Sequence, residues 1–268
     1  MLTILHVVEE GSNDAFVLKD TFDRRSAYGH LLTGARAAVE TIVSELTISR
    51  VDLNIVVEVG KASTVILQVA GRLRAGLLII GISNRRSIRE RIIGSTADRV
   101  IRTSFISVLV VKRPVKAPYR RVVAAIDFSP QAEVIVAVSS ALLPHTRLKL
   151  VHVTDIPLQF LQALLHTGTS EEDINRYRHA RLNFSRERLL QLATRLLKPG
   201  NYDIQVIEGE PAKMLVGLSR SRGVDVITMG AHGQAVIMEF FLGSITQKLL
   251  REAACDLLIS PFSQTHAT

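Results

Sequence analysis

Short apolar runs recur along this chain and alternate with longer segments in which the apolar residues have helical spacing. In the second half these runs predict five strands, at residues 122–127, 148–153, 202–207, 224–229 and 256–260. The runs are apolar throughout, which is typical of parallel strands that are covered by helices on both faces. A sheet of this kind binds ligands beyond the carboxyl ends of its strands, where the strand order reverses.

Start and stop signals predict helices between these strands. Ser129 and Pro130 predict a helix that runs to about residue 143, with proline at the favoured first position. Ser170 and Asp173 form a capping-box pattern before a long helix. The remaining predicted segments are a loop over 154–169 and helices at 212–221 and 244–253.

The chain also contains an internal repeat. The segment 81–95 recurs 149 positions later as 230–244. The segment 2–7 resembles 148–153, and the common order of the matches indicates a duplicated domain. The first copy lacks the opening strand and helix of the second; its predicted elements are strands at 2–7, 53–59, 77–81 and 108–111 and helices at 34–46, 63–75 and 95–102.

A length of 268 residues suits two domains. We predict tandem domains over residues 1–116 and 117–268, joined through the segment 112–119, which contains Pro114 and Pro118. No apolar run approaches the roughly 18–20 residues that a membrane-spanning helix needs. The single cysteine, Cys255, lies in an apolar stretch and is interpreted as a buried hydrophobe, which fits a reducing, cytoplasmic location.

The chain is basic, with a net charge of +8 and an isoelectric point of about 10. Such a charge is compatible with a polyanionic partner, including a nucleic acid. However, the arginines between 176 and 195 are scattered over a predicted helix, and no basic patch is interleaved with aromatic residues. A solvated basic surface is therefore favoured over nucleic-acid binding, which we regard as unlikely.

One glycine motif combines several features of an anion-binding loop. Gly230 and Gly233 follow a predicted strand, and Gly243 comes after nine intervening residues at the start of a predicted helix. Glycine allows a close approach of the backbone and a positive φ, and a helix start presents free N–H groups to an anion. Ser244 and Thr246 add hydroxyl groups.

With this motif the chain resembles the universal stress protein family in its tandem two-domain form. The resemblance rests on four segments, GAHG at 230–233, GS at 243–244, AIDFS at 125–129 and LVHV at 150–153. It implies an α/β fold of two Rossmann-like, doubly wound parallel sheets with strand order 3-2-1-4-5. It also implies a stress-response protein that binds ATP or another adenine nucleotide, with Mg²⁺ as a candidate ion bound to that nucleotide.

The family pattern assigns ten residues of the second copy to the nucleotide. Asp127 and Val153 would contact the base, and the loop glycines with the helix start would hold ribose and phosphates. The assigned residues are Asp127, Val153, Met229, Gly230, His232, Gly233, Gly243, Ser244, Ile245 and Thr246. From the residues alone, two alternatives stay open: Asp127 as only a helix cap, and His232 as an ordinary loop residue.

The first copy departs from the motif, because Asn84 stands where the second copy has Gly233. Basic residues follow it, namely Arg85, Arg86, Arg89 and Arg91. The strand that carries the aspartate is absent, so we expect this copy to bind nucleotide weakly or not at all. Since that strand is central in the family, either its neighbours pair directly, or another segment fills the gap, or the chain is truncated at its N-terminus; we favour truncation.

Catalysis has little support in the sequence. There is no G-x-x-x-x-G-K-[ST] loop to place a lysine beside a phosphate, although Glu208, Glu210 and Asp225 are candidates to approach a Mg²⁺ carried by ATP. We therefore expect a regulatory or interaction module with an unknown protein partner. The alternatives are a slow ATPase or nucleotide-dependent transferase, and a basic scaffold or nucleic-acid-associated protein. A pseudo-dimer formed by the two copies, or a homodimer, is also expected.

Overall fold

The chain divides into two compact units, Met1–Ala75 and Gly76–Thr268. The structure is a computed structural model, and each unit is described by itself. The described residues are 1–9, 24–46, 51–82, 93–114, 117–144, 146–221, 223–233 and 242–261. Within them no helix is long and apolar enough to cross a membrane.

The first unit contains a two-stranded parallel sheet. Its elements are β1 (Leu2–Val8), α1 (Arg24–Ser44), β2 (Leu53–Val59) and α2 (Ala62–Arg72). The two strands are at most half-buried, and the buried side chains of the described part belong to α2: Ser63, Val65, Val69 and Ala70. This unit therefore has only a thin core of its own.

The second unit contains the remaining strands in one seven-stranded sheet. The strands are β3 (Leu77–Gly81), β4 (Ser107–Val111), β5 (Arg121–Ala125), β6 (Arg147–Thr154), β7 (Tyr202–Glu208), β8 (Val226–Gly230) and β9 (Asp256–Ser260). The helices are α3 (Ser95–Thr103), α4 (Ala132–Leu142), α5 (Leu158–His166), α6 (Glu171–Leu196), α7 (Pro211–Ser219) and α8 (Ser244–Glu252).

The strand order of the sheet is β3-β4-β9-β8-β5-β6-β7. The strands of the second copy therefore lie in the predicted order 3-2-1-4-5, and their ladders are parallel, as the apolar runs indicated. Alternate side chains of β5 enter two separate cores: Val122 packs with α4 and α6, and Val123 packs with α7 and α8. The order reverses between β5 and β8, which fixes where a ligand site opens.

The first copy does not form a second sheet of the same kind. β3 and β4 pair with each other, and β4 then pairs with β9 in the antiparallel direction. The last strands of the two copies, β4 and β9, are thus neighbours in one sheet. Among the described residues β1 pairs with β2, in the separate two-stranded sheet of the first unit.

One predicted helix start and one predicted loop were wrong in detail. α4 begins at Ala132 rather than at Pro130, because Phe128 has a φ of 60° and the chain first makes a turn in which the Ala132 N–H donates to the Ser129 carbonyl. The predicted loop contains the short helix α5, whose Phe160 ring packs at 5.7 Å from the Tyr177 ring of α6. In contrast, the Ser170 cap is confirmed, since its hydroxyl accepts the Asp173 N–H at 3.1 Å.

Lys112 joins the end of β4 to the end of α8. Its side chain is buried, and its ammonium donates to the carbonyls of Leu249 and Leu250 at 3.1 and 2.9 Å. A cation at the carboxyl end of a helix complements the helix dipole, and here it is a second donor to the Leu249 carbonyl, which also accepts the Ala253 N–H. The Lys112 N–H also donates to the buried Asp256 carboxylate at 2.8 Å, which accepts the Tyr119 hydroxyl at 2.6 Å.

Asp225 joins the amino ends of β5 and β8, the two strands between which the order reverses. Its Oδ2 accepts the backbone N–H groups of Arg120 and Arg121 at 3.0 Å each, and its Oδ1 accepts the Arg121 guanidinium at 3.2 Å. Burial opposes ionisation of this carboxyl group, but the hydrogen bonds outweigh burial and hold the pKa of Asp225 below its usual value.

Cys255 is buried as predicted, and burial raises the pKa of its thiol to about 11. The thiol is therefore protonated at neutral pH and behaves as a small apolar side chain.

Substitution of Lys112 by methionine is expected to destabilise the second unit. Methionine fills a similar volume but leaves two buried carbonyls without their charged donor, at a cost of about 2 kcal/mol. The midpoint of urea unfolding should fall clearly in Lys112→Met. Lys198→Met, at an exposed lysine beyond α6, is the matched control and should leave the midpoint unchanged. Equal midpoints for both variants would contradict this role of Lys112.

The stabilisation from Asp225 should depend on pH. Because its pKa is lower in the folded state, the contribution is complete above the unfolded pKa of about 3.8 and is lost as pH falls through the folded value. Asp225→Asn should therefore lower the unfolding midpoint at pH 7, and the difference from the wild type should shrink between pH 4 and pH 2. Asp203→Asn, in the exposed pair with Arg147, should show a small and nearly flat difference.

Candidate functional site

A cavity of about 560 Å³ opens at the carboxyl ends of β5, β6 and β8, between the helices α6, α7 and α8. This is where the reversal of strand order places a ligand site. All residues that the sequence assigned to the nucleotide line it: Asp127, Val153, Met229, Gly230, His232, Gly233, Gly243, Ser244, Ile245 and Thr246. The structure thus brings together residues from three strand ends and one helix start.

The loop glycines serve close packing rather than unusual backbone angles. A β-carbon at Gly230 would lie 2.9 Å from the His232 carbonyl oxygen and 3.0 Å from Oε1 of the buried Gln131. At Gly243 it would meet the Gly233 nitrogen at 3.5 Å. None of the three motif glycines has a positive φ, so that part of the expectation is corrected.

The start of α8 presents backbone donors to the cavity. The first amide bonded within the helix is that of Gln247, which donates to the Gly243 carbonyl. The amides of Ser244, Ile245 and Thr246 precede it, and they donate to no acceptor of the described residues. Gly243 occupies the cap position and has no side chain to satisfy them, so the helix start can receive an anion.

Thr246 holds the loop to the helix. Its side chain is buried, and its hydroxyl donates to the Gly230 carbonyl at 3.0 Å. That hydroxyl has one proton, so in this arrangement Thr246 offers a ligand its backbone amide rather than a hydroxyl donor. Ser244, in contrast, is exposed at the cavity.

Asp127 stabilises the turn that follows β5. Its Oδ1 accepts the Ser129 N–H at 2.9 Å, and a β-carbon at Gly233 would lie 3.5 Å from its Oδ2. Because α4 begins only at Ala132, the aspartate is not the cap of that helix. Its carboxylate instead lies between the end of β5 and the glycine loop.

Both histidines of the cavity are neutral near pH 7. Burial lowers the pKa of His152 and the pKa of His232. The Nδ1 of His152 lies 2.7 Å from the Ile126 carbonyl, which only accepts, so Nδ1 carries the proton and Nε2 is an acceptor. The ring of His152 also packs at 4.3 Å from the ring of Phe128.

One face of α6 forms a wall of the cavity that the sequence analysis missed. This α6 wall consists of Arg181, Phe184, Ser185 and Arg188. The Arg188 guanidinium lies over the Phe128 ring, 4.3 Å from its centroid, and 5.8 Å from that of Phe184. The members of the α6 wall are three and four residues apart in the sequence, which indicates one helix face. The prediction of a solvated basic surface for Arg181 and Arg188 did not use this signal.

The carboxylates considered for Mg²⁺ do not line the cavity. Glu208 accepts the Arg178 guanidinium at 2.9 Å, and Glu210 lies 3.5 and 3.7 Å from the ammonium groups of Lys213 and Lys248. Asp225 lies at the amino ends of the strands, opposite the cavity. None of these three residues is therefore placed to hold a metal ion carried by a ligand in the cavity.

The first copy differs at the matching helix start. α3 also begins after a glycine, but Ala97 stands where α8 has Thr246, and Asp98 stands where α8 has Gln247. A carboxylate in the first turn opposes anion binding through charge repulsion, and the Arg102 guanidinium, 2.8 Å from Asp98, offsets part of that charge. A β-carbon at Gly94 would meet no described atom within 4 Å, unlike one at Gly243. Asn84 and the arginines after it lie outside the described residues.

Known proteins are similar to this chain in parts of their sequence and in their fold. The universal stress protein family model matches residues 1–112 and 118–261. A universal stress protein of Methanocaldococcus jannaschii is 32% identical over 54 residues, which are 20% of this chain and 33% of that protein. One of Thermus aquaticus is 33% identical over 57 residues, 21% of this chain and 42% of that protein. The chain thus spans less than half the length of these curated relatives.

Solved structures resemble the whole chain more broadly. A universal stress protein from Archaeoglobus fulgidus has a TM-score of 0.66 at 14% identity, covering 97% of this chain and 86% of its own. A putative universal stress protein from Pseudomonas aeruginosa has a TM-score of 0.61 at 16% identity, and the likeness covers 97% of this chain and 92% of that chain. At these identities the likeness shows a shared fold. Since the two family matches together cover nearly all residues in the order of the repeat, the chain belongs to the universal stress protein family and carries two family regions in tandem.

Proposed function

We propose that the second copy binds ATP or a related adenine nucleotide in the cavity beside Gly230–Thr246, and that the protein acts as a regulatory module in a stress response. The observation that carries this proposal is the start of α8. Three successive amides that donate to no acceptor among the described residues lie at the cavity, and beside them a β-carbon at Gly230 would lie only 2.9 Å from the His232 carbonyl oxygen. Phosphate groups are the ligands that such a helix start binds best.

The other side of the cavity suits a nucleoside. Apolar side chains from β6 and β8, Val153 and the buried Met229, lie beside the polar groups of Asp127 and His152. Ligand sites commonly combine an apolar lining with a few placed polar groups. The volume of about 560 Å³ falls within the range of small-molecule sites.

Binding is favoured over rapid turnover. The described lining contains no lysine to act on a γ-phosphate. The Asp127 carboxylate already accepts a backbone N–H, which suits a structural and binding role. Slow hydrolysis is the alternative function, and Mg²⁺ would arrive with the nucleotide rather than on a carboxylate site of the protein.

The first copy is proposed to serve as a structural partner. Its helix start carries Asp98, and its last strand β4 pairs with β9 of the second copy. We propose that this pairing makes one chain a pseudo-dimer with domains 1–116 and 117–268, acting in the cytoplasm on a protein partner of unknown identity.

The binding proposal predicts one nucleotide per chain. Mass spectrometry of the denatured, purified protein should detect an adenine nucleotide, or calorimetric titration of the emptied protein with ATP should give a stoichiometry near one. Gly243→Val should weaken ATP binding at least about tenfold, because the β-carbon would already be in contact with the Gly233 nitrogen at 3.5 Å and the Ala231 carbonyl at 3.6 Å, which leaves little room for the two methyl groups beyond it.

Gly94→Val is the matched control in the first copy. Its β-carbon meets no described atom within 4 Å, so ATP binding should stay unchanged. Absence of binding to the wild type would rule out the proposal, and equal losses in both variants would place the ligand elsewhere. Steady release of phosphate from ATP, abolished by Asp127→Ala, would favour the slow ATPase instead.

A further inference from the structure

Four arginines follow one stripe of α6, at positions 178, 181, 188 and 195. The outer two are paired with carboxylates: Arg178 with Glu208 at 2.7 Å, and Arg195 with Glu133. The inner two, Arg181 and Arg188, line the cavity, and neither forms an ion pair with a carboxylate of the described residues. The stripe thus leaves two cations facing the ligand site.

Two contacts hold this helix face in place, one between the two arginines and one at Arg188 itself. Ser185 lies between them and accepts the Thr154 hydroxyl at 3.1 Å, with both residues buried. This bond fixes α6 to the end of β6. Phe128, from the end of β5, lies under the Arg188 guanidinium and fixes its position by a cation–π contact.

The charges of the cavity lining show why these two cations matter. Arg181 and Arg188 are the only cationic side chains among the described lining residues, since His152 and His232 are neutral. The start of α8 contributes the equivalent of roughly half a positive charge. Asp127 and Asp155, which also line the cavity, add negative charge. A nucleoside polyphosphate therefore needs further cations, and a guanidinium is well suited to phosphate.

We infer that Arg181 and Arg188 bind the phosphate charge that the start of α8 leaves uncompensated, and that they make the site select polyphosphates over the nucleoside. This inference rests on the proposed function and adds a second wall to its site. Phe128 acts as a positioning residue for Arg188. The ligand class is a nucleotide with two or more phosphates.

The test compares adenosine, AMP, ADP and ATP by calorimetric titration of the full chain. Arg181→Gln and Arg188→Gln should each weaken ATP binding about fivefold, and the double variant about 30-fold, with adenosine affinity unchanged within about twofold. The loss should grow from AMP to ATP. The salt dependence of ATP binding should be weaker in the double variant, because two charged contacts are removed.

Two further variants separate charge from structure. Arg186→Gln changes an exposed arginine on the same helix that does not line the cavity, and it should leave the whole series unchanged. Arg188→Lys should recover most of the affinity lost in Arg188→Gln. Phe128→Leu should weaken ATP binding in the wild-type background and have no further effect beside Arg188→Gln, as expected for a residue that acts through Arg188.

The outcomes distinguish this inference from the binding proposal. If the wild type binds no nucleotide, the proposed function fails and the inference fails with it. If the wild type binds ATP and the double variant binds it equally well, only the inference fails. An equal loss for adenosine and ATP would also overturn it, since the arginines would then contact the base or support the fold.

Discussion

The backbone at Gly230 lies so close to the His232 carbonyl that a β-carbon would not fit between them. This close approach lets the chain turn sharply over the end of β8. The turn is then fixed by three bonds: Ala231 N–H to the Ser260 carbonyl, Gly243 N–H to the Ala231 carbonyl, and the Thr246 hydroxyl to the Gly230 carbonyl. Together they place the start of α8 at the cavity, so the position of that helix start depends on the close approach at one glycine.

The same constraint explains how the two copies differ. In α3, Ala97 replaces the threonine that would tie the helix to its strand, and Asp98 adds a negative charge to the first turn. Gly94 is not crowded by any described atom. The copies thus keep the same order of elements, but only the second keeps the contacts that shape the loop.

The sequence predicted the part of the site that is local in the chain. A strand, its glycines and the following helix start lie within a short segment, so their spacing alone indicated that residues 230–233 and 243–246 lie together, and members of both segments line the cavity. The α6 wall could not be found in this way, because Arg181 and Arg188 reach the site through the packing of a helix on β6 and β7. The start of α4 was misplaced for a similar reason, since the positive φ of Phe128 has no sequence signal of its own. The direction of the β4–β9 pairing also depends on distant contacts.

The burial of Lys112 has a consequence for how the repeat is divided. The family matches change over between residues 112 and 118, but the compact units separate between Ala75 and Gly76. A recombination event at the repeat boundary would therefore separate α8 from the ammonium that caps its carboxyl end, and would strip β9 of its neighbour β4. The excised second copy would keep its glycine loop and gain an open sheet edge, which readily pairs with another chain. The part of the first copy from β3 to β4 thus belongs to the same compact unit as the second copy and cannot be removed without exposing that edge.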